Sequence, residues 1–94
     1  MICLTVHWSV HVLLRMQNRG VSVEEIEQTI ANGDTIEDYP DDLPLPSRLL
    51  LHWHAGRPLH VVVASDADAN CVVVTVYEPD NVRWLDDYRN RRPK

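Results

Sequence analysis

Val6, Val10, Leu13 and Leu14 recur at helical spacing and predict a first helix from about residue 6 to residue 18. Gly20 can take the left-handed conformation that stops a helix. His7, His11, Arg15 and Arg19 recur every four residues, so on such a helix they share one slowly drifting stripe. A second helix has a sharper start. Ser22 and Glu25 have capping-box spacing, with the hydroxyl accepting from the amide of residue 25 and the carboxylate reaching back. Val21 and Ile26 are spaced as a hydrophobic staple around that box. Glu24 and Glu25 suit the positive end of the helix dipole. Val23, Ile26 and Ile30 form the apolar stripe, and Asn32 with Gly33 ends it.

After Gly33 the period becomes extended. Thr35 to Tyr39 reads as a short strand, and Pro40 to Pro46, with three prolines, as a loop of polyproline character. Ser47 to His54 and Leu59 to Ser65 read as a hairpin turning through Ala55 to Pro58. Asp66 to Asn70 connects to a third β-branched strand, Cys71 to Glu78. Pro79, Asp80 and Asn81 break it, and Val82 to Tyr88 reads as one or two helical turns. The predicted class is α+β, in the order α-α-β-β-β-β-α, with a four-stranded sheet. Short connections make the strands antiparallel. Valines fall on both faces of the strands at 61–63 and 72–74. One face must meet the helices; the other is left for the tail, the proline loop or a second subunit.

The length of 94 residues allows one domain, read as residues 1–88 with a basic tail over 89–94. The net charge of −5 is unevenly spread: residues 1–47 carry two arginines against eight acids, while four of the nine basic residues crowd the last six positions. Overall acidity argues against broad, non-specific nucleic-acid binding but leaves room for a small basic site. No apolar run approaches the ~20 residues that span a bilayer, so no membrane partner is expected. No basic segment precedes the first apolar positions, so a secretory leader is not expected either. Cys3 and Cys71 read as two reduced thiols, with Cys71 buried in a strand, and the cytoplasm is the default location.

Candidate chemistry is sparse. His52 and His54 share a strand face at a spacing that can hold zinc, but two ligands are not a site. His60 joins them only if the intervening turn has three or five residues or carries a bulge. A structural role is the preferred reading of the pair, and no metal is assigned. Asp66-x-Asp68-x-Asn70 opens like a calcium loop, but Cys71 stands where glycine is needed and Tyr77 where glutamate is needed. There is no glycine-rich phosphate loop, no Cys-x-x-Cys and no nucleophile elbow, and no cofactor is called for. His11 and Arg15, one turn apart, are the pair that can serve a phosphodiester. The imidazole moves a proton near neutral pH, and the guanidinium grips non-bridging oxygens. Tyr77 and Arg83 lie near the end of the last strand and could assist.

The run His11-Val-Leu-Leu-Arg15-Met16-x-x-Arg19-Gly20-Val21-Ser22 is similar to the opening of a bacterial family, domain of unknown function 4258. Glu24-Glu25-Ile26, Asn32-Gly33, Tyr39-Pro40-x-Asp42, Pro46-Ser47, Gly56-Arg57-Pro58-Leu59-His60-Val61-Val62, Thr75-Val76-Tyr77-Glu78-Pro79-Asp80 and Trp84 extend the resemblance over roughly residues 7 to 90. It implies a fold similar to RelE- and BrnT-type ribonucleases, and a toxin of a toxin–antitoxin pair with a cognate antitoxin as partner. The polar positions it implies are His11, Arg15, Arg19, His60, Thr75 and Tyr77. The expectation is a metal-independent endoribonuclease. His11, Arg15, His60, Tyr77 and Arg83 would act in catalysis, while Arg19 and Thr75 would hold RNA. The other expectation is a non-enzymatic interaction module, such as a homodimer formed through the sheet. It is favoured by the acidity, by the doubly apolar strands and by Leu43 and Leu45 on a loop. Val12, where the family more often has a small residue, and the acidic charge depart from the pattern.

Overall fold

The chain opens with a strand where a helix was expected. In the computed structural model, which describes residues 1–93, Thr5–Trp8 forms β1 and the first helix starts only at Val10. Ser9 sets this boundary. Its backbone is extended and its Oγ accepts from the Val12 amide at 3.1 Å, a helix N-cap. Val6 and Trp8 turn inward by alternation and pack against the core. Apolar residues at 6 and 10 fit either period; the serine between them decides. His7 therefore leaves the helical stripe, and His11, Arg15 and Arg19 stay on it.

Helix α1 spans Val10–Arg19 and ends at Gly20, which is left-handed at φ 64°. Helix α2 spans Val23–Asn32. Its capping box forms as expected: the Glu25 amide donates to Ser22 Oγ at 3.1 Å, and the Ser22 amide donates to Glu25 Oε1 at 2.9 Å. Gly33 follows because the backbone closes in there. A Cβ would press into the carbonyl oxygens of Thr29 and Leu51.

Four strands then run as an antiparallel meander: β2 (Asp34–Tyr39), β3 (Ser47–His54), β4 (Arg57–Ser65) and β5 (Asn70–Tyr77). The turn from β3 to β4 leaves only Ala55 and Gly56 unpaired, both at positive φ, so His54 faces Arg57 and His60 points to the other side of the sheet. β1 adds to β5 in parallel, from Thr5 opposite Asn70 to Trp8 opposite Val73, and the spatial order is β1-β5-β4-β3-β2. The sheet is thus five-stranded and mixed, not four-stranded and antiparallel. A four-residue parallel strand remote in sequence from its partner leaves no local signal.

That strand also corrects the cysteines. Laying β1 beside β5 brings the Cα atoms of Cys3 and Cys71 to 5.6 Å, and the two form a disulfide across 68 residues. Cys71 is buried in a strand as expected, but neither thiol is free. The default to a reducing compartment loses that footing. No helix among the described residues is long and apolar enough to cross a membrane.

The sheet buries both faces. One carries Leu50, Leu59, Val61, Val63, Val73 and Val76 against Val12 and Met16 of α1 and Ile26 and Ile30 of α2. The other carries Leu49, Leu51 and His60, also fully buried, and is covered by the C-terminal segment. The helix expected over Val82 to Tyr88 is not formed. Asp80 accepts from the amides of Val82 and Arg83, and Asp87 accepts from those of Arg89 and Asn90. These side chains give the backbone turns in place of a helix too short to nucleate alone. The segment doubles back instead, with Trp84 bridged to Arg91 and the Arg92 amide donating to the Arg83 carbonyl. Residues 89–92 of the expected tail are held down: Arg89 pairs with Asp34 at 2.9 Å and Arg91 with Glu37 at 2.7 Å. Lys94 lies outside the described residues.

Trp84 is 2% exposed and is the centre of this strap. Its replacement by alanine is expected to cost about 3–5 kcal/mol, the usual cost of emptying a buried aromatic site. Equilibrium urea unfolding checks it. A loss below about 1 kcal/mol would show that the strap does not belong to the cooperative fold.

Candidate functional site

The stripe on α1 and the strap meet around the C-terminal end of β5. β1 pairs with β5 only as far as Val73, so the rest of that strand is free on one side. A cavity of about 410 Å³ opens there, lined by Arg15 and Arg19 from α1, Tyr77 to Asp80, and Arg83, Trp84 and Arg91 from the strap. Four residues singled out from sequence (Arg15, Arg19, Tyr77 and Arg83) therefore face one space. His11 stands beside it. Arg15 Nε donates to His11 Nε2 at 3.1 Å, and the imidazole is exposed.

The charges are disposed in a particular way. The chain has eight arginines. Among the described residues five are in ion pairs: Arg48, Arg57, Arg89, Arg91 and Arg92. The other three are Arg15, Arg19 and Arg83, and all three line this cavity. Two carboxylates, Glu78 and Asp80, share this wall, and among the described residues neither forms an ion pair with these three arginines. Asp80 accepts from two backbone amides, and the Arg83 amide foremost holds it below the usual carboxylate range. Glu78 lies 3.6 Å from Arg57. Arg91 is committed to Glu37 through two hydrogen bonds, 2.7 and 2.8 Å, and its guanidinium stacks 4.6 Å from the Trp84 ring centre. These bonds are the main cause of the raised Arg91 pKa and the lowered Glu37 pKa. The Tyr39 hydroxyl also donates to Glu37.

His60 stands behind the cavity. It is fully buried, directly across from Tyr77 in the sheet, and edge-on to both Tyr77 and Trp84. Its Nε2 is 2.7 Å from the Tyr88 carbonyl oxygen and its Nδ1 is 3.2 Å from the Tyr77 hydroxyl. A carbonyl only accepts, so Nε2 carries the proton. On the neutral ring Nδ1 then accepts from the Tyr77 hydroxyl. Burial lowers the His60 pKa, against the opposing effects of the Tyr88 carbonyl and Glu37, and burial raises that of Tyr77. Both ring nitrogens are occupied, so His60 orients Tyr77 and anchors the strap without contacting anything in the cavity. Thr75 is half-buried, two residues before Tyr77 on the same strand face, and does not line the cavity.

Sequence reasoning missed Trp84 as a wall and Arg91 as a neighbour. Trp84 bore a family-like signal without a role. Arg91 bore none, because its position depends on Glu37, 54 residues away. His52 and His54 lie on the sheet face opposite His60, and the described residues hold no group of three potential metal ligands. His54 instead meets Thr29 Oγ1 at 3.0 Å. Thr29 donates its own proton to the Glu25 carbonyl, so His54 Nε2–H donates to Thr29.

The fold and this cavity define a small α+β domain with a cationic hollow at the end of its last strand. The chain belongs to the family described as domain of unknown function DUF4258, whose profile matches residues 8–78. The match ends at Glu78, so Arg83, Trp84 and Arg91 are supplied from beyond it. Comparison with curated proteins and with solved structures finds no match.

The buried neutral His60 makes stability depend on pH. The unfolded ring titrates near 6.5 and the folded one lower, so between those values the unfolded chain binds more protons. Stability is full above about pH 6.5 and falls as the pH drops below it. His54, also lowered chiefly by burial, acts in the same window. Urea midpoints are expected to fall between about pH 7.5 and about pH 5, and to fall less steeply in His60→Leu. An equal slope in the variant would contradict the neutral, buried ring.

Proposed function

We propose that the cavity binds a phosphodiester and that the protein is a small endoribonuclease of toxin type, acting without a metal ion. The observation that supports this reading is the convergence on one hollow of the three arginines outside the ion pairs of the described residues, beside an exposed histidine. Guanidinium groups match phosphate oxygens in charge and geometry. Arg15, Arg19 and Arg83 hold the non-bridging oxygens and stabilise the charge that grows on them in the transition state.

His11 supplies the proton. Its Nε2 accepts from Arg15. When Arg15 turns to a phosphate oxygen, Nε2 is released, takes a proton from solvent and delivers it to the departing 5′-oxygen. The 2′-oxygen bonds to phosphorus as its own proton leaves to water, the bond to the 5′-oxygen breaks, and a cyclic phosphate remains. The acidity of the whole chain is no obstacle, because the arginines outside the ion pairs of the described residues are gathered at one place.

A partner of antitoxin type would cover this face. Val10 and Leu14 of α1 are 73% and 55% exposed, on the helix that carries the arginine stripe. The interaction-module reading draws instead on Leu43, exposed on the proline loop. Light scattering at several concentrations separates the readings: a dimer that loses RNA binding as it forms would favour the module.

Purified protein is expected to cleave single-stranded RNA in excess chelator and to leave cyclic-phosphate ends. His11→Ala is expected to lose about 10²- to 10⁴-fold in rate. Arg15→Ala is expected to lose about 10²- to 10³-fold. Both are surface changes on α1, checked as folded by circular dichroism. Undiminished cleavage in His11→Ala would overturn the assignment.

A further inference from the structure

From the hydrogen bonds that fix the Tyr77 hydroxyl we infer that Tyr77 reads a ligand hydroxyl, so that the cavity takes phosphates carried on ribose in preference to deoxyribose. The inference rests on the proposed phosphodiester site and names the sugar it selects.

The Tyr88 carbonyl fixes the proton of His60 on Nε2, at 2.7 Å. His60 Nδ1 is then an acceptor, 3.2 Å from the Tyr77 oxygen, and takes the only proton Tyr77 has. Two lone pairs remain on that oxygen. Toward the cavity, therefore, Tyr77 accepts and does not donate. A phosphate oxygen is itself an acceptor and gains nothing from such a group, so Tyr77 is not one of the anion ligands. Its natural partner is a hydroxyl donor held next to the phosphate. On a nucleic acid strand that donor is the 2′-hydroxyl, the group that separates RNA from DNA. Arg83 and Arg15 line the same 410 Å³ hollow as Tyr77, so an anion and a neighbouring hydroxyl would share one space. With Tyr77 on the 2′-oxygen, His11 is the group left for the departing 5′-oxygen, which matches the role given to it above.

His60 is here a positioning residue. It is buried, never meets the ligand, and decides only which way the tyrosine proton points. Trp84 edge-on to its ring and the strap carbonyl keep it from turning over.

The test uses the full chain and mononucleotides that contain no bond to cleave. Adenosine 3′-phosphate, its 2′-deoxy and 2′-O-methyl counterparts, and inorganic phosphate are titrated by calorimetry. The ribose form is expected to bind about three- to tenfold tighter than either modified form, the factor one hydrogen bond supplies. The 2′-O-methyl form keeps the oxygen but cannot donate, so it is expected to group with the deoxy form. In Tyr77→Phe the three affinities are expected to converge. In His60→Leu, which frees the tyrosine proton, the ratio is expected to fall as well. Should that variant not fold, Tyr77→Phe and the 2′-O-methyl comparison still decide. Equal binding of ribose and deoxyribose forms, tight binding of the 2′-O-methyl form, or a preference that survives Tyr77→Phe would each overturn the inference and leave the anion site standing. Failure of all four ligands to bind would overturn both.

Discussion

The carbonyl of Tyr88 needs a donor, and the buried ring of His60 supplies it at 2.7 Å. Much of the molecule is arranged around that bond. It ties the C-terminal strap to the second face of the sheet, where Leu49 and Leu51 would otherwise meet water. It fixes the tautomer of the ring and so the direction of the Tyr77 proton. It also holds Trp84 against the ring, with Arg91 stacked on the indole and paired to Glu37. Without the strap there is a sheet with one covered face and half of a cavity.

The second consequence is electrostatic. An acidic chain can still present a cationic hollow if its acids are occupied elsewhere. Asp34 and Glu37 on β2 hold Arg89 and Arg91, Asp80 is turned to backbone amides, and Glu78 lies against Arg57. Arg15, Arg19 and Arg83 are left over. Net charge, which speaks to long-range steering, says little about a site of this size.

Local signals in the sequence carried local structure. Ser22 and Glu25 announced α2 because both halves of the capping box lie within four residues. The β3–β4 hairpin followed from a leucine run, Leu49–Leu51, and a valine run, Val61–Val63, on either side of a glycine turn. The stripe His11, Arg15, Arg19 was legible because helical spacing places it, and Tyr77 and Arg83 were legible as neighbours at the end of a strand. What failed was everything that depends on distant pairing. β1 reads as helix because Val6 and Val10 satisfy both periods, and its partner in β5 lies some 65 residues on. The disulfide was hidden for the same reason. The strap reads as a helix and a loose tail because its turns are made by Asp80 and Asp87 and its anchors, Asp34, Glu37 and His60, are on other strands. The family profile helps little there, since it stops at Glu78.

The central claim is that three guanidinium groups, without ion-pair partners among the described residues, form one anion site. Nitrogen-detected NMR of the arginine Nε groups during titration with inorganic phosphate tests it residue by residue. The account predicts saturable shifts of Arg15, Arg19 and Arg83 with one common dissociation constant, while Arg48, Arg57 and Arg89 stay in place. Shifts spread evenly over all eight arginines, or none at the three named, would contradict it.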